Sequence, residues 1–400
     1  MNALIIGGGP AGMMAAAFAA KNGASVYLFE KNPILGKKMR ITGKGRCNIT
    51  NAGDDFLDKV TSNPKFLYSS FNNFNNYDAI NFFEDIGVKT KVERGLRVFP
   101  ESDNAHTVVN ALADYIRKLG VKIIRERATD VIVSDGFVTG IVANNKFKAD
   151  KVLIATGGLS YPVTGSTGDG IKIAQRLGHK IINPKPSLVP LESSDAFCKD
   201  LMGLALKNIG FKIIKEGKLI YSDFGELLFT HFGISGPVVL SASCFMEDEE
   251  YEAVIDLKPA LSDDELDKRI LRDFEKYSRK DFINSLDDLL PKSLINTVVL
   301  LSGIDERKNA GEISKTERKN LCMLLKNFTV KIKGFGKIEE AIVTAGGVSV
   351  DDINPKTMES RIVKGLYFAG EVIDVSALTG GYNLQIAYST GYTAGKNMAL

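Results

Sequence analysis

The chain has 400 residues, 44% hydrophobic and 25% charged; at about 100 to 200 residues per domain this implies two or three domains with ample core, and excludes a disulfide-stapled miniature, a disordered chain or a fibre. Fifty-one Lys and Arg against 48 Asp and Glu leave a formal charge of +3, too balanced for a protein whose main task is coating nucleic acid. Four dispersed cysteines without a C-x-x-C and three dispersed histidines leave neither a zinc ribbon nor a dithiol pair, so no metal site is expected.

The first element is a short apolar strand, Ala3 to Ile6, which runs into Gly7-Gly-Gly-Pro-Ala-Gly12 and an Ala-rich helix from Met13 to Ala20. This is G-x-G-x-x-G between strand and helix: Gly7 makes the turn, Gly9 lets a pyrophosphate approach the backbone, Gly12 lets helix and strand pack, and Pro10 and Ala11 open the helix. A helix N-terminus favours the phosphate charge. A second strand, Val26 to Phe29, ends in Glu30, eighteen positions beyond Gly12. A carboxylate there accepts ribose hydroxyls and repels a 2′-phosphate, so FAD or NAD is expected rather than NADP.

Next, the loop from Lys31 to Arg46 holds six basic residues, Lys31, Lys37, Lys38, Arg40, Lys44 and Arg46, and no acid. The nearest anion expected for them is the cofactor pyrophosphate, with Gly45, Arg46, Cys47 and Asn48 reaching toward the cofactor ring. A solvated basic loop is the bland alternative. Cys47, beside a cation, is read either as a thiol of lowered pKa or as small-residue packing, with packing favoured. Further on, Ala128 is added to the cofactor set, and Lys151 to Ala155 is an apolar strand ending in Thr156-Gly157-Gly158. Gly365 to Glu371 contains the last strand and carries Gly370 and Glu371 ahead of a helix start at Gly381, Tyr382, Asn383 and Leu384.

The N-terminal fingerprint, the A-T-G strand end and the C-terminal A-G-E resemble glutathione-reductase-type flavoproteins. The resemblance implies that Glu371 holds the flavin ribityl chain and that the amides near Tyr382 to Leu384 face the pyrimidine end of the flavin. A helix N-terminus there would stabilise negative charge developing on reduction. Gly165-Ser-Thr-Gly-Asp-Gly170 resembles the T-G-D-G step of the fumarate reductase branch, against a plain helix start with Asp169 as N-cap. Longer motifs, Ile41 to Asn51, Thr156 to Pro162, Thr230 to Pro237 and Gly370 to Gln385, together resemble the BaiN-like or aminoacetone-oxidase-family bacterial FAD-binding flavoproteins over essentially the whole chain. One departure is Ser376-Ala377, where a more Gly-rich turn is expected.

The implied fold is α/β: a Rossmann-like FAD domain, residues 1–187 and 345–400, split by an inserted β-barrel domain, 188–260 and 327–344, which carries a helical subdomain, 261–326. Within the insert, Leu206 to Ile214, Lys218 to Tyr221, Leu227 to Thr230, Tyr251 to Leu257 and Val330 to Phe335 read as strands. Ser262 to Glu265 and Ser314 to Glu317 read as capping boxes.

The expected activity is that of an FAD-dependent oxidoreductase in which hydride passes between flavin N5 and a small-molecule substrate bound between FAD domain and barrel. NAD(P)H-fed reduction of a carbonyl-conjugated C=C bond is the first reading, on family analogy. An O2-dependent oxidase of a small amine is the alternative, and an FAD-containing RNA-modifying or RNA-binding factor is the option from another class, with nucleic acid the less favoured partner. With one dinucleotide fingerprint, NADH or NADPH would bind only transiently. Candidate catalytic groups are His231, in the Thr-His-Phe-Gly turn, Tyr382 and Asn383; the imidazole suits proton transfer, and the Asn383 amide either faces the flavin or ties down loop backbone. No charged leader and no run of ~18 apolar residues is present, so no membrane partner and a cytoplasmic location are expected. Oligomeric state is left open.

Overall fold

The computed structural model describes residues 1–400. The chain forms two compact units, Met1–Ser187 with Lys337–Leu400, and Leu188–Gly336.

The first unit is built on a five-stranded parallel sheet in the order Leu366–Phe368, Lys151–Ile154, Asn2–Ile6, Ser25–Phe29, Lys122–Ile124. Ala3 to Ile6, Val152 to Ile154 and Leu366 to Phe368 are buried throughout, as continuous apolar runs in a parallel sheet should be. The crossover from the central strand is the helix Pro10–Lys21, and the last helix, Tyr382–Met398, packs against it. Their backbones meet: a Cβ on Gly391 would lie 2.4 Å from the Ala11 carbonyl oxygen, and one on Gly395 at the same distance from that of Ala15. The alanines of the first helix and the glycines of the last thus bring two helix starts to one end of the sheet, at Gly9 and Gly381. A three-stranded antiparallel sheet, Thr50–Asn51, Arg97–Pro100 and Thr90–Glu93, lies in the same unit.

The chain leaves this unit on Ile181–Ser187 and returns on Val343–Val348, antiparallel, with Ile181 opposite Val348 and Ser187 opposite Val343. That pairing draws the return strand into the first unit, which therefore resumes at Lys337 rather than at 345.

The second unit contains a closed barrel in the order Leu191–Ser193, Gly233–Ser235, Lys218–Thr230, Ala205–Lys215, Tyr251–Asp256, Phe328–Phe335. Inward Phe211, Ile213, Ala253, Ile255, Val330 and Ile332 are buried, while Lys212, Glu252 and Lys331 point out, which is the period-two pattern of a sheet with one wet face. The two expected strands at 218–221 and 227–230 are one, because Asp223 to Gly225 stay paired to Ile209 to Phe211 instead of breaking the ladder. The last strand begins at Phe328, two residues earlier than expected. Three helices follow the barrel's fifth strand in sequence order, Asp263–Lys276, Lys292–Ser302 and Lys315–Lys326; the first and third start with reciprocal capping boxes at Ser262/Glu265 and Ser314/Glu317. No helix is long and apolar enough to cross a membrane.

Candidate active site

The glycine-rich turn divides its labour as its spacing predicts. A Cβ on Gly12 would fall 1.9 Å from the Gly7 carbonyl oxygen, and one on Gly7, at φ 110°, would fall 2.4 Å from that of Ala155. Gly9 is different, since nothing lies within 4 Å of a Cβ built there. The open side of the turn is thus above Gly9, at the start of a helix that has no side-chain cap and no acid in its first turn. Glu30 is 8% exposed and turns one carboxylate oxygen to the Gly8 amide at 2.8 Å, the other to the Asn32 amide and side chain at 2.7 Å each. Asn32 also donates to the Thr164 carbonyl, so it fixes Glu30 from a second segment.

Three of the six cations of the basic loop pair with carboxylates of the protein. Lys31 pairs with Asp169 at 2.8 Å, Lys38 with Glu371 at 2.7 Å, and Arg46 with Glu93 at 2.5 Å and Asp103 at 2.7 Å. Arg46 also lies 4.0 Å from the Phe99 ring centroid, which holds its guanidinium against the small sheet. Arg40 turns to Asn110, His106 and the Leu35 carbonyl. Asp169 is the first residue of its helix, not the cap; the cap is Gly168. Burial opposes ionisation of Asp169, but its bonds to Arg127 and Lys31 outweigh that and hold its pKa below the usual carboxylate range.

Cys47 is fully buried in left-handed backbone at φ 61°. Burial pushes its thiol up to about 12, only partly offset by a bond from Thr42, so the thiol is inert packing and the lowered-pKa reading is overturned. Beside it, Asn48 Oδ1 is buried with no partner. Gly45 stands in left-handed backbone at φ 83°, with nothing within 4 Å of a built Cβ, and Ala128 is buried.

Glu371 is the hub at the end of the last strand. It accepts from Lys38 at 2.7 Å, Ser160 Oγ at 2.9 Å and the Thr344 amide at 2.9 Å. The Thr344 hydroxyl in turn accepts from the Leu159 and Ser160 amides at 2.8 and 3.0 Å. The A-T-G-G segment at Thr156, Gly157 and Gly158 thus runs beside Glu371, and a Cβ on Gly158 would reach the carboxylate at 3.2 Å. Ser160 lies inside a motif visible in sequence; Thr344 carries no local signal, because its partners Leu159, Ser160 and Glu371 are distant in the chain.

The last helix starts after Gly370 and Glu371, at Gly381, again with no side-chain cap and no acid in its first turn. Tyr382 is 6% exposed, its hydroxyl has no hydrogen-bond partner, and burial with the nearby Asp55 charge raises its phenol to about 12, so it stays protonated at neutral pH. Asn383 is spent on structure: Oδ1 accepts from the Ala377 amide at 2.9 Å, and Nδ2 donates to the Ala377 and Leu378 carbonyls at 2.7 and 3.3 Å. Leu384 is half-buried. The expected Gly-rich turn at Ser376-Ala377 is instead a two-residue strand against Val60–Ser62. His231 belongs to the other unit, exposed at the turn after the long strand, edge-on to Phe232.

These residues fit FAD. The open face at Gly9 is where a diphosphate must approach backbone, and two uncapped helix starts offer amides to its phosphates and to the flavin pyrimidine end. Glu30 suits ribose hydroxyls and Glu371 the ribityl chain. Fold and site together define an FAD-dependent oxidoreductase with an interrupted Rossmann-like domain.

The family profile described as HI0933-like protein Rossmann domain matches residues 1–397, and the chain belongs to that family. A ribosomal RNA dihydrouridine synthase from Haemophilus influenzae is 35% identical over 396 residues, spanning 97% of this chain and 96% of its own length. A 3-dehydro-bile acid delta(4,6)-reductase from Clostridium scindens is 33% identical over 412 residues, spanning 99% and 98%. Among solved structures, a 3-ketosteroid delta1-dehydrogenase from Sterolibacterium denitrificans has a TM-score of 0.54 at 12% identity, with 99% of each chain covered, which shows a shared fold alone.

Proposed function

We propose that this enzyme saturates a carbon–carbon double bond conjugated to a carbonyl, and that its substrate is a uridine of ribosomal RNA. The observation that carries the reading is the pair of near-full-length relatives whose names differ in substrate but share one chemistry. The C5=C6 bond of uridine is conjugated to the C4 carbonyl, just as the 4,6-diene of a 3-oxo bile acid is conjugated to its ketone. Both reductions place hydride on an electrophilic alkene carbon and a proton on its neighbour. A fused-ring enone is the second reading, favoured by the relative from Clostridium scindens. RNA is preferred because two near-full-length relatives, from Haemophilus influenzae and Escherichia coli, are named ribosomal RNA dihydrouridine synthase.

FAD, when bound, supplies the hydride. The chain's own work is to bind, orient and polarise. Gly9 and the first helix start take the diphosphate, Glu30 a ribose, and Glu371, aimed by Lys38, Ser160 and Thr344, the ribityl hydroxyls. Amides at Tyr382 to Leu384 oppose negative charge at the pyrimidine end of the ring. Tyr382, protonated at Oη and without a partner, donates to the substrate carbonyl, which draws electron density from the alkene. NADPH or NADH is the proposed reductant, bound transiently.

The test is anaerobic. The flavin is reduced with NADPH or NADH, then protein-free ribosomal RNA or a 3-oxo-4-ene steroid is added. Flavin reoxidation by RNA, with uridines that gain two hydrogens by nucleoside mass spectrometry, is the expected result. Reoxidation by the steroid alone would replace the first reading with the second, and reduction of the flavin by small amines alone would sink both.

A further inference from the structure

Three cations near the candidate site have no carboxylate partner: Lys44, Arg94 and Arg97. All three are exposed, and none forms an ion pair. Their segments lie close to one another around Phe99. Gly43, which precedes Lys44, has its Cβ direction 3.1 Å from Phe99, and the Arg97 guanidinium lies 5.9 Å from the Phe99 centroid. Arg94 stands in the turn between Thr90–Glu93 and Arg97–Pro100, and its carbonyl accepts from Arg97 Nε at 3.0 Å. Lys44 is locked into left-handed backbone at φ 59°, on a tight turn between two glycines.

Most of the surrounding charges are paired, although Asp54, bonded only to the neutral Tyr77 hydroxyl, keeps its own. Arg46 and Lys91 are matched by Glu93 and Asp103. On the other side of the turn, Asp54 accepts from the Tyr77 hydroxyl and Asp55 pairs with Lys59. The excess is positive, and it sits beside exposed Val92 and Leu96, 55% and 52% accessible. This turn is tied to the last helix start through one side chain: Asn51 Nδ2 donates to the Gly95 carbonyl at 2.9 Å and to that of Gly380 at 3.2 Å. A basic and partly apolar rim therefore abuts the amides at Gly381.

We infer that Lys44, Arg94 and Arg97 form a phosphate-binding rim that grips single-stranded RNA next to the helix start at Gly381. The inference rests on the RNA reading above. Its logic is charge complementarity: cations left without acids attract a polyanion, and Leu96 and Val92 give an unstacked base an apolar surface. The neutralised network around Arg46 holds the turn in place but spends its own charge internally.

The experiment measures binding of oligouridylate and of protein-free ribosomal RNA to the FAD-loaded protein across a salt series. Lys44→Gln, Arg94→Gln and Arg97→Gln are made singly and together, with Lys146→Gln/Lys148→Gln, exposed lysines elsewhere on the unit, as control. Each substitution should reduce the slope of log affinity against log salt by about 0.7, and the triple variant by about 2, with affinity down more than about tenfold at low salt. Flavin absorbance and melting temperature should stay at wild-type values, and the control should bind as wild type. A triple variant that keeps wild-type slope and affinity overturns the rim while leaving the RNA reading standing. A wild-type protein that fails to bind either RNA overturns both.

Discussion

Two helices of each unit begin in different ways. In the inserted unit, Asp263–Lys276 and Lys315–Lys326 close their own ends: Ser262 and Ser314 accept from the amides of Glu265 and Glu317, whose carboxylates accept in return. In the first unit, Pro10–Lys21 and Tyr382–Met398 begin at Gly9 and Gly381 with no side-chain cap and no first-turn acid. A helix start leaves amides without intrahelical partners, so an end left open amid good packing is reserved for something other than the chain. The missing cap marks a cofactor site only together with open backbone beside it, as at Gly9, since Lys292–Ser302 in the inserted unit also starts without a cap.

The largest effect should come from removing the close approach that makes the open end possible. Gly12→Val would drive a side chain into the Gly7 carbonyl, 1.9 Å from its first carbon. A loss of about 4 kcal/mol or more is expected, and with it all bound flavin. The melting temperature and visible spectrum of purified protein check this, and a stable, yellow variant would contradict the packing argument.

Gly9→Asp sharpens the contrast, because this glycine has room around it and φ of −80°. The new carboxylate would cap the helix as Ser262 and Ser314 cap theirs, changing stability by only a few tenths of a kcal/mol relative to Gly. It would also put negative charge where the diphosphate belongs. FAD affinity should fall about a hundredfold, about 2.7 kcal/mol, in an intact apoprotein. Fluorescence titration with FAD reads this, and undiminished affinity would mean that the open end does not serve the cofactor.

At the second open end the surroundings are tied down by side chains. Asn383→Ala removes three bonds to Ala377 and Leu378 and should cost about 1 to 2 kcal/mol in stability. If the amide only positions the loop, substrate reduction by the chemically reduced FAD-loaded protein should follow flavin occupancy and keep its pH profile. A changed pH profile at full occupancy would restore the chemical role expected of Asn383.

This difference also explains what was legible. Gly9, Gly12 and Glu30 act within a strand–helix–strand stretch, so spacing locates them, and the same spacing finds Gly7 although its close neighbour Ala155 is far along the chain. The capping boxes, four residues long, are equally visible. Arg46 could not be read that way, since Glu93 and Asp103 meet it only after the chain has folded across 47 and 57 positions. Counting six positive charges without an acid suggested an anion-hungry loop; Asp169 and Glu371, far along the chain, answer two of them. Cys47 looked activated by its sequence neighbours, whereas burial decides its pKa and depends on tertiary packing. Thr344 returns from beyond the insert to orient Leu159 and Ser160, and nothing local marks it. The barrel strands were found, but the joined strand Lys218–Thr230 was not, because Asp and Gly that break a strand in isolation are held by the partner ladder.

The smallest effect tests the closed ends. Glu317 is held down to about 2, first by the Lys308 ammonium at 2.7 Å and then by the Ser314 amide and hydroxyl. A carboxylate whose folded pKa lies below its ordinary 4.5 stabilises the folded state above that value, and the contribution fades as pH falls from about 4.5 toward about 2. The Glu317 side chain keeps 30% of its surface in solvent, so screening leaves only a few tenths of a kcal/mol. Glu317→Gln should therefore lower the melting temperature slightly at pH 7, and the difference from wild type should vanish near pH 2. FAD affinity at pH 7 should not change, because a closed end holds nothing but itself. A pH-independent difference would show that the side chain acts by shape rather than charge, and a loss of FAD affinity would break the distinction between the two kinds of helix start.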